Sequence, residues 1–124
     1  MFLNVPLTAA GAQTTELVRV PVSGPKKLVA ISIVQQAGNI TKDGTNYRIL
    51  NITDSSANTV ATINTSTANG VDWNADTFNA VTIDAKYELI KDGTLTAAFA
   101  HAGSGVASVD LMITFEFVSA RESE

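Results

Sequence analysis

Over residues 109–117 every second side chain is large and apolar: Val109, Leu111, Ile113, Phe115 and Phe117. Between them stand Asp110, Met112, Thr114 and Glu116. Successive side chains leave a β-strand on opposite faces, so this period of two describes a strand with one face in a core and the other toward water. Wound into a helix, the same residues would scatter apolar and charged groups around the cylinder and leave no stripe to bury. Residues 105–118 therefore read as a long inner strand of a β-sandwich, and the rest of the chain must supply the layers that cover it.

The upstream segments repeat the pattern in shorter runs. Residues 15–22 alternate, with Val18, Val20 and Val22 inward and Leu17, Arg19 and Pro21 opposite. Pro21 has no N–H to give to a ladder, which places this strand at a sheet edge or a bulge. Ser23, Gly24 and Pro25 make a turn. Residues 26–34 are apolar on both sides, with Val29, Ile31 and Ile33 against Leu28, Ala30, Ser32 and Val34. That suits a central strand or one covered at an interface. A loop over 36–46 carries an Asp43-Gly44 turn signal. A strand over 47–53 sets Tyr47, Ile49 and Asn51 opposite Arg48, Leu50 and Ile52. Residues 59–64 read as a short strand with Val60 and Thr62 inward, 66–76 as a loop holding the single tryptophan, Trp73, and 78–84 as a strand with Val81 and Ile83 inward. Asp92-Gly93 sits between strand-like runs at 87–91 and 94–99. Both residues of a type I′ turn need positive φ, so this pair marks a hairpin. Residues 101–104 read as a glycine-bearing loop.

These runs, with no convincing helix, predict an all-β chain: an antiparallel β-sandwich, jelly-roll-like, of about eight strands. Residues 1–14 carry no charge, and Phe2, Leu3, Val5 and Leu7 are apolar. They are read as an extended N-terminal arm lying on a partner surface, the bland alternative being a frayed end or a short edge strand. The expected organisation is an arm over 1–14, a sandwich domain over 15–118 and a polar tail over 119–124.

A chain of 124 residues is long enough for one domain with a real core. Its net charge of −4, with no basic cluster larger than Lys26-Lys27, argues against nucleic-acid binding, which needs a basic stripe to neutralise phosphates. The absence of cysteine excludes disulfides, thiolate metal sites and cysteine nucleophiles. No apolar run approaches the ~20 residues of a membrane helix. The first residues lack the basic and apolar regions of a signal peptide, so the chain is expected in the cytosol unless it leaves within an assembly.

No catalytic constellation emerges. The lone His101 needs a nucleophile and an orienting carboxylate, and Gly103-Ser104-Gly105 lacks the spacing of a nucleophile elbow. It reads as a surface or interface histidine. Asp72, Asn74 and Asp76 have the opening spacing of a calcium loop, but Thr77 stands where glycine is needed and Ile83 where a bidentate glutamate belongs. A polar turn explains them, and no metal or cofactor is expected. Asp84, Glu88, Asp110 and Glu116 alternate with apolar neighbours as solvent-facing strand residues do. Asn39, Asn51 and Asn64 open Asn-x-Ser/Thr triplets, which chance supplies in a chain rich in Asn and Thr. Trp73, with Tyr47 and Tyr87, is the candidate for an aromatic sugar platform, against the reading that Trp73 plugs one end of the sandwich.

A small, acidic, cysteine-free chain rich in Thr, Asn and Ala, with an uncharged N-terminal segment, resembles the capsid decoration or cement proteins of tailed bacteriophages. The segments AKYELIKDGTLT at 85–96 and GVASVDL at 105–111 carry the same flavour of small phage structural proteins. The resemblance implies a non-enzymatic virion protein, made in the host cytoplasm, that binds the capsid exterior. It would clamp adjacent major capsid protein subunits against internal DNA pressure, often as a trimer or dimer. On this reading Phe2, Leu3, Val5, Leu7 and Trp73 are the candidate partner-binding residues. The alternative is a carbohydrate- or receptor-binding β-sandwich module of a phage structural protein.

Overall fold

A computed structural model describes residues 2–7, 17–22, 26–36, 38–54, 56–83, 87–89, 93–105 and 110–119. Eleven strands follow in order: β1 (Phe2–Leu7), β2 (Leu17–Val22), β3 (Lys26–Gln35), β4 (Asn39–Ile40), β5 (Tyr47–Thr53), β6 (Thr59–Asn64), β7 (Trp73–Asn74), β8 (Phe78–Val81), β9 (Tyr87–Leu89), β10 (Gly93–Ala102) and β11 (Leu111–Ser119). No helix occurs among the described residues. One sheet has the order β1-β11-β3-β8, with β9 also on β3. A second has the order β2-β10-β5-β6, and β4 and β7 form a two-stranded ribbon. All the strand pairings are antiparallel.

The alternation of the last strand is realised in β11, flanked by β1 and β3. Leu111, Ile113, Phe115 and Phe117 are buried, and the residues between them are half-exposed. In the second sheet Leu95, Ala97 and Phe99 of β10 and Leu50 and Ile52 of β5 are buried on the same principle. The inward side chains of both sheets merge in one apolar cluster. The rings of Phe115 and Phe117 stack within it, 6.3 Å between centroids. Each large side chain so buried stabilises the fold by about 1.5–3 kcal/mol before entropy is counted.

Several expectations are corrected. Residues 2–7 are not an arm extended away from the domain. They form β1, in register with β11 from Phe2↔Glu116 to Leu7↔Leu111, and Val5 and Leu7 enter the chain's own core. An apolar alternation with a free ladder beside it is better satisfied within the chain than on a partner. The Asp-Gly hairpin does not form either: β9 pairs with β3, whereas β10 lies between β2 and β5 in the other sheet. The strands on either side of the dipeptide thus belong to different sheets. His101 lies within β10, opposite Arg48 of β5, rather than in a loop. Val109, Asp84, Asp92 and residues 8–14, 23–25 and 120–124 lie outside the described residues.

Two bulges reverse expected faces. In β3 the register with β11 passes from Ala30↔Glu116 to Leu28↔Phe117, so Val29 is an extra residue. Leu28 is therefore buried, whereas Val29 is 42% exposed. In β6 the register with β5 passes from Ala61↔Ile52 to Thr59↔Thr53. Val60 and Ala61 are both buried, and Thr62, expected inward, is exposed. One inserted residue shifts the period-two phase, and every position beyond it changes side.

The β3 bulge gives a direct test. Leu28→Ala is expected to lower unfolding free energy by about 2–4 kcal/mol, and Val29→Ala by less than about 0.5 kcal/mol, in chemical denaturation. Equal losses would restore the unbulged register.

Candidate interaction surface

Of the five residues singled out for partner contact, the fold leaves one open. Phe2, at the start of the edge strand β1, is 67% exposed. Leu3 is half-buried against the core, and Val5, Leu7 and Trp73 are buried. Phe2, Leu3, Val5 and Leu7 share one strand, whereas Trp73 stands apart in the β4–β7 ribbon, with Ile40 as its strand partner.

Cross-strand register brings together residues that sequence distance separates. On the outer face of the first sheet, Pro6, Met112, Val34 and Phe78 are successive partners and form one apolar row across β1, β11, β3 and β8. Pro6 is exposed, Met112 and Val34 are half-exposed, and the Phe78 ring is 65% exposed. The next row is Asn4, Thr114, Ser32 and Ala80, in which Thr114 Oγ1 donates to Asn4 Oδ1 at 2.8 Å. The outer face of the second sheet carries small and hydroxylated side chains, among them the rows Arg19, Thr96, Thr53, Thr59 and Ala98, Asn51, Thr62. Among the described outer-face side chains of the two sheets, only Arg19, Lys27 and Glu116 are charged. Both are broad strand surfaces able to make contact by shape and apolar area.

The tryptophan is held from inside the fold. Gln35, buried at the end of β3, donates from Nε2 to the Trp73 carbonyl at 2.9 Å and to the Gly38 carbonyl at 3.1 Å. Asp76 N–H donates to the Gln35 carbonyl at 2.8 Å, with Asp76 at φ 62°. This clamp seals the Trp73 ring beneath the ribbon at 1% exposure, where it cannot stack on a sugar. Within the calcium-like spacing, Asp72 Oδ1 accepts from Lys42 N–H at 2.8 Å, and Asn74 and Asp76 are exposed. No group of three or more His, Cys, Asp or Glu side chains gathers among the described residues.

Arg48 is the polar residue that the functional reading of the sequence passed over. Its alternation sets it on one face with Leu50 and Ile52, and it is fully buried. Its guanidinium carbon lies 5.2 Å from the Phe99 ring centroid, a cation–π contact. Burial lowers the guanidinium pKa from its usual value, and the group stays protonated. Its cross-strand partner His101 is half-buried. At the same end Asn46 Oδ1 accepts from Ser104 N–H at 2.8 Å, and Gly103 takes φ +59° against Asn46, where a Cβ would approach Asn46 Oδ1 to 2.5 Å. Asp43 Oδ1 accepts from the N–H groups of Thr45 and Asn46, both at 2.7 Å, which turns the loop ahead of β5. Those donors favour the carboxylate and hold the Asp43 pKa below its ordinary 3.8. No described protein family, curated protein or solved structure matches this chain.

Two outcomes follow from this geometry. Trp73→Ala is expected to cost about 3–5 kcal/mol of stability in denaturant titrations, as a buried aromatic does. A variant of unchanged stability would put the ring back at the surface. A folded-state pKa below the unfolded one makes the Asp43 contribution present above the ordinary carboxylate range and lost as pH falls through the lowered value. Asp43→Asn, which keeps an oxygen acceptor without the charge, is therefore expected to melt below wild type at neutral pH. The two melting curves should converge in strong acid, and a gap independent of pH would remove the charge from the account.

Proposed function

We propose that this chain is a structural virion protein that binds the outer surface of a phage capsid and stabilises contacts between major capsid protein subunits. No catalytic role is assigned to it. Its architecture on this reading is a jelly-roll sandwich of the two larger sheets. The nesting of the strand pairs supports that assignment: β1 with β11, β2 with β10, β3 with β8 and β9, and β5 with β6. Taking β8 and β9 as two pieces of one interrupted strand on β3 makes eight strands in four nested antiparallel pairs.

The observation that carries the function is the pair of broad outer faces with few charges, one crossed by an apolar row ending in an exposed phenylalanine. A decoration protein attaches in many copies to a repeating lattice. Avidity then turns contacts that are modest singly into firm attachment. Contacts poor in charge change little with salt. The partners are the major capsid protein and further copies of the chain, with no nucleic acid and no membrane, and the location is the exterior of the virion. For the alternative of a carbohydrate- or receptor-binding module, burial of Trp73 removes that ring as a sugar platform.

The test is direct. Purified chain is mixed with phage heads assembled from the major capsid protein of the same genome. Saturable co-sedimentation, nearly unchanged by added salt, and a rise in the temperature at which the heads open are expected. Chain left in the supernatant at saturating concentration sinks the proposal.

A further inference from the structure

We propose that two copies of this chain dimerise face to face through the outer side of the β1-β11-β3-β8 sheet. The two-fold axis runs parallel to the strands, between β11 and β3. This deepens the self-association in the proposed function, and it is read on the isolated protein, so its failure leaves capsid binding standing.

The sheet edges are poor places for such contact. The edge strands β1 and β2 carry Pro6 and Pro21, which have no N–H for a further ladder. The edge strand β6 is bulged and already bridged through Ala61 to Ile83. β8 is only four residues long. Short, bulged or proline-bearing edges resist strand addition. A face is then the surface that remains for a second copy.

The apolar row is complementary to itself under this axis. Reversing Pro6, Met112, Val34, Phe78 sets the Phe78 ring of one copy on the Pro6 ring of the other, and Val34 on Met112. The neighbouring row behaves likewise, with Thr114 meeting Ser32 and Asn4 meeting Ala80. Charge agrees. Glu116 falls on the second copy's Ala30, diagonal to its Lys27, and no two like charges meet among the described side chains. Sheets stacked in this way lie about 10 Å apart with their strands within about 30° of each other.

Area sets the strength. Four strands ~4.8 Å apart and about seven residues long at ~3.3 Å each give roughly 450 Å² of sheet plan per copy. Two copies together cover roughly 900 Å², below the ~1,200–2,000 Å² of stable complexes, so the dimer is reversible and depends on concentration.

Light scattering on a concentration series is expected to rise from the 13.0 kDa monomer toward twice that mass. Phe78→Asp and Met112→Asp should each weaken the dimer by at least about tenfold. Thr96→Asp, on the outer face of the other sheet, should leave it unchanged. Cysteine pairing gives a second readout that adds no charge, because the chain has no cysteine of its own. Pro6→Cys mixed with Phe78→Cys should be joined by a bis-maleimide of about 10 Å span, the distance between stacked sheets and too long for a direct disulfide. Neither variant alone should do so, since identical positions lie about 17 Å apart under this axis, beyond that span. A monomer mass at every concentration, a trimer mass, a dimer that survives both aspartates, or equal cross-linking by one variant alone would overturn the proposal.

Discussion

The antiparallel ladder between β11 and β3 is the contact on which the rest of the structure depends. It runs from Leu111↔Gln35 to Ser119↔Lys26 and supplies most of the buried aromatic surface of the first sheet. β1 lies on the other side of β11, so the first and last described strands are neighbours in one sheet. Every other long pair nests inside that closure. None of the pairs except β5 with β6 joins strands consecutive in sequence. Loop closure must be met before such distant contacts give anything back, so a fold of this kind forms slowly and as a whole.

The same ladder organises the surface. Because side chains alternate, each row buried on the inner face has an outer neighbour one residue along. The rows that carry Met112 and Val34 outward are therefore held by the core behind them. The apolar row is as rigid as the sheet, and its partners need not be ordered at the moment of contact, which spares the entropy that a loose segment would lose. The side chains between the rows are hydroxyls, amides and methyls rather than charges. Faces so poor in charge leave broad areas available for apposition, the property that the proposed attachment to a lattice requires.

Much of the core was readable in the order of residues. The alternation in 111–117 named four buried side chains, Pro21 allowed an edge strand or a bulge and β2 is an edge, and the doubly apolar 26–34 allowed a central or a covered strand and β3 is central. Arg48 shares a face with Leu50 and Ile52 by phase alone, and that this face is the buried one comes from the fold. The misreadings cluster where phase or partner is not a local property. Val29 and Thr62 changed sides at bulges. Asp92-Gly93 signals a turn in either setting, and nothing within the dipeptide says whether the next strand returns to the same sheet. Trp73 sat in a stretch with the composition of a loop, and the group that bonds its backbone carbonyl, the Gln35 side chain, lies thirty-eight residues earlier.

The sequence by itself determined that this chain is all β, and largely which residues of each strand share a face, because a side-chain period of two is written into the order of residues. Tertiary structure alone decided which strands lie side by side, and with that the row formed by Pro6, Met112, Val34 and Phe78. The physical reason is that ladders are made by backbone N–H and C=O groups, which are nearly the same in every residue and do not mark their partner. The choice of partner falls instead to the packing of the shared core, which exists only once both sheets are in place.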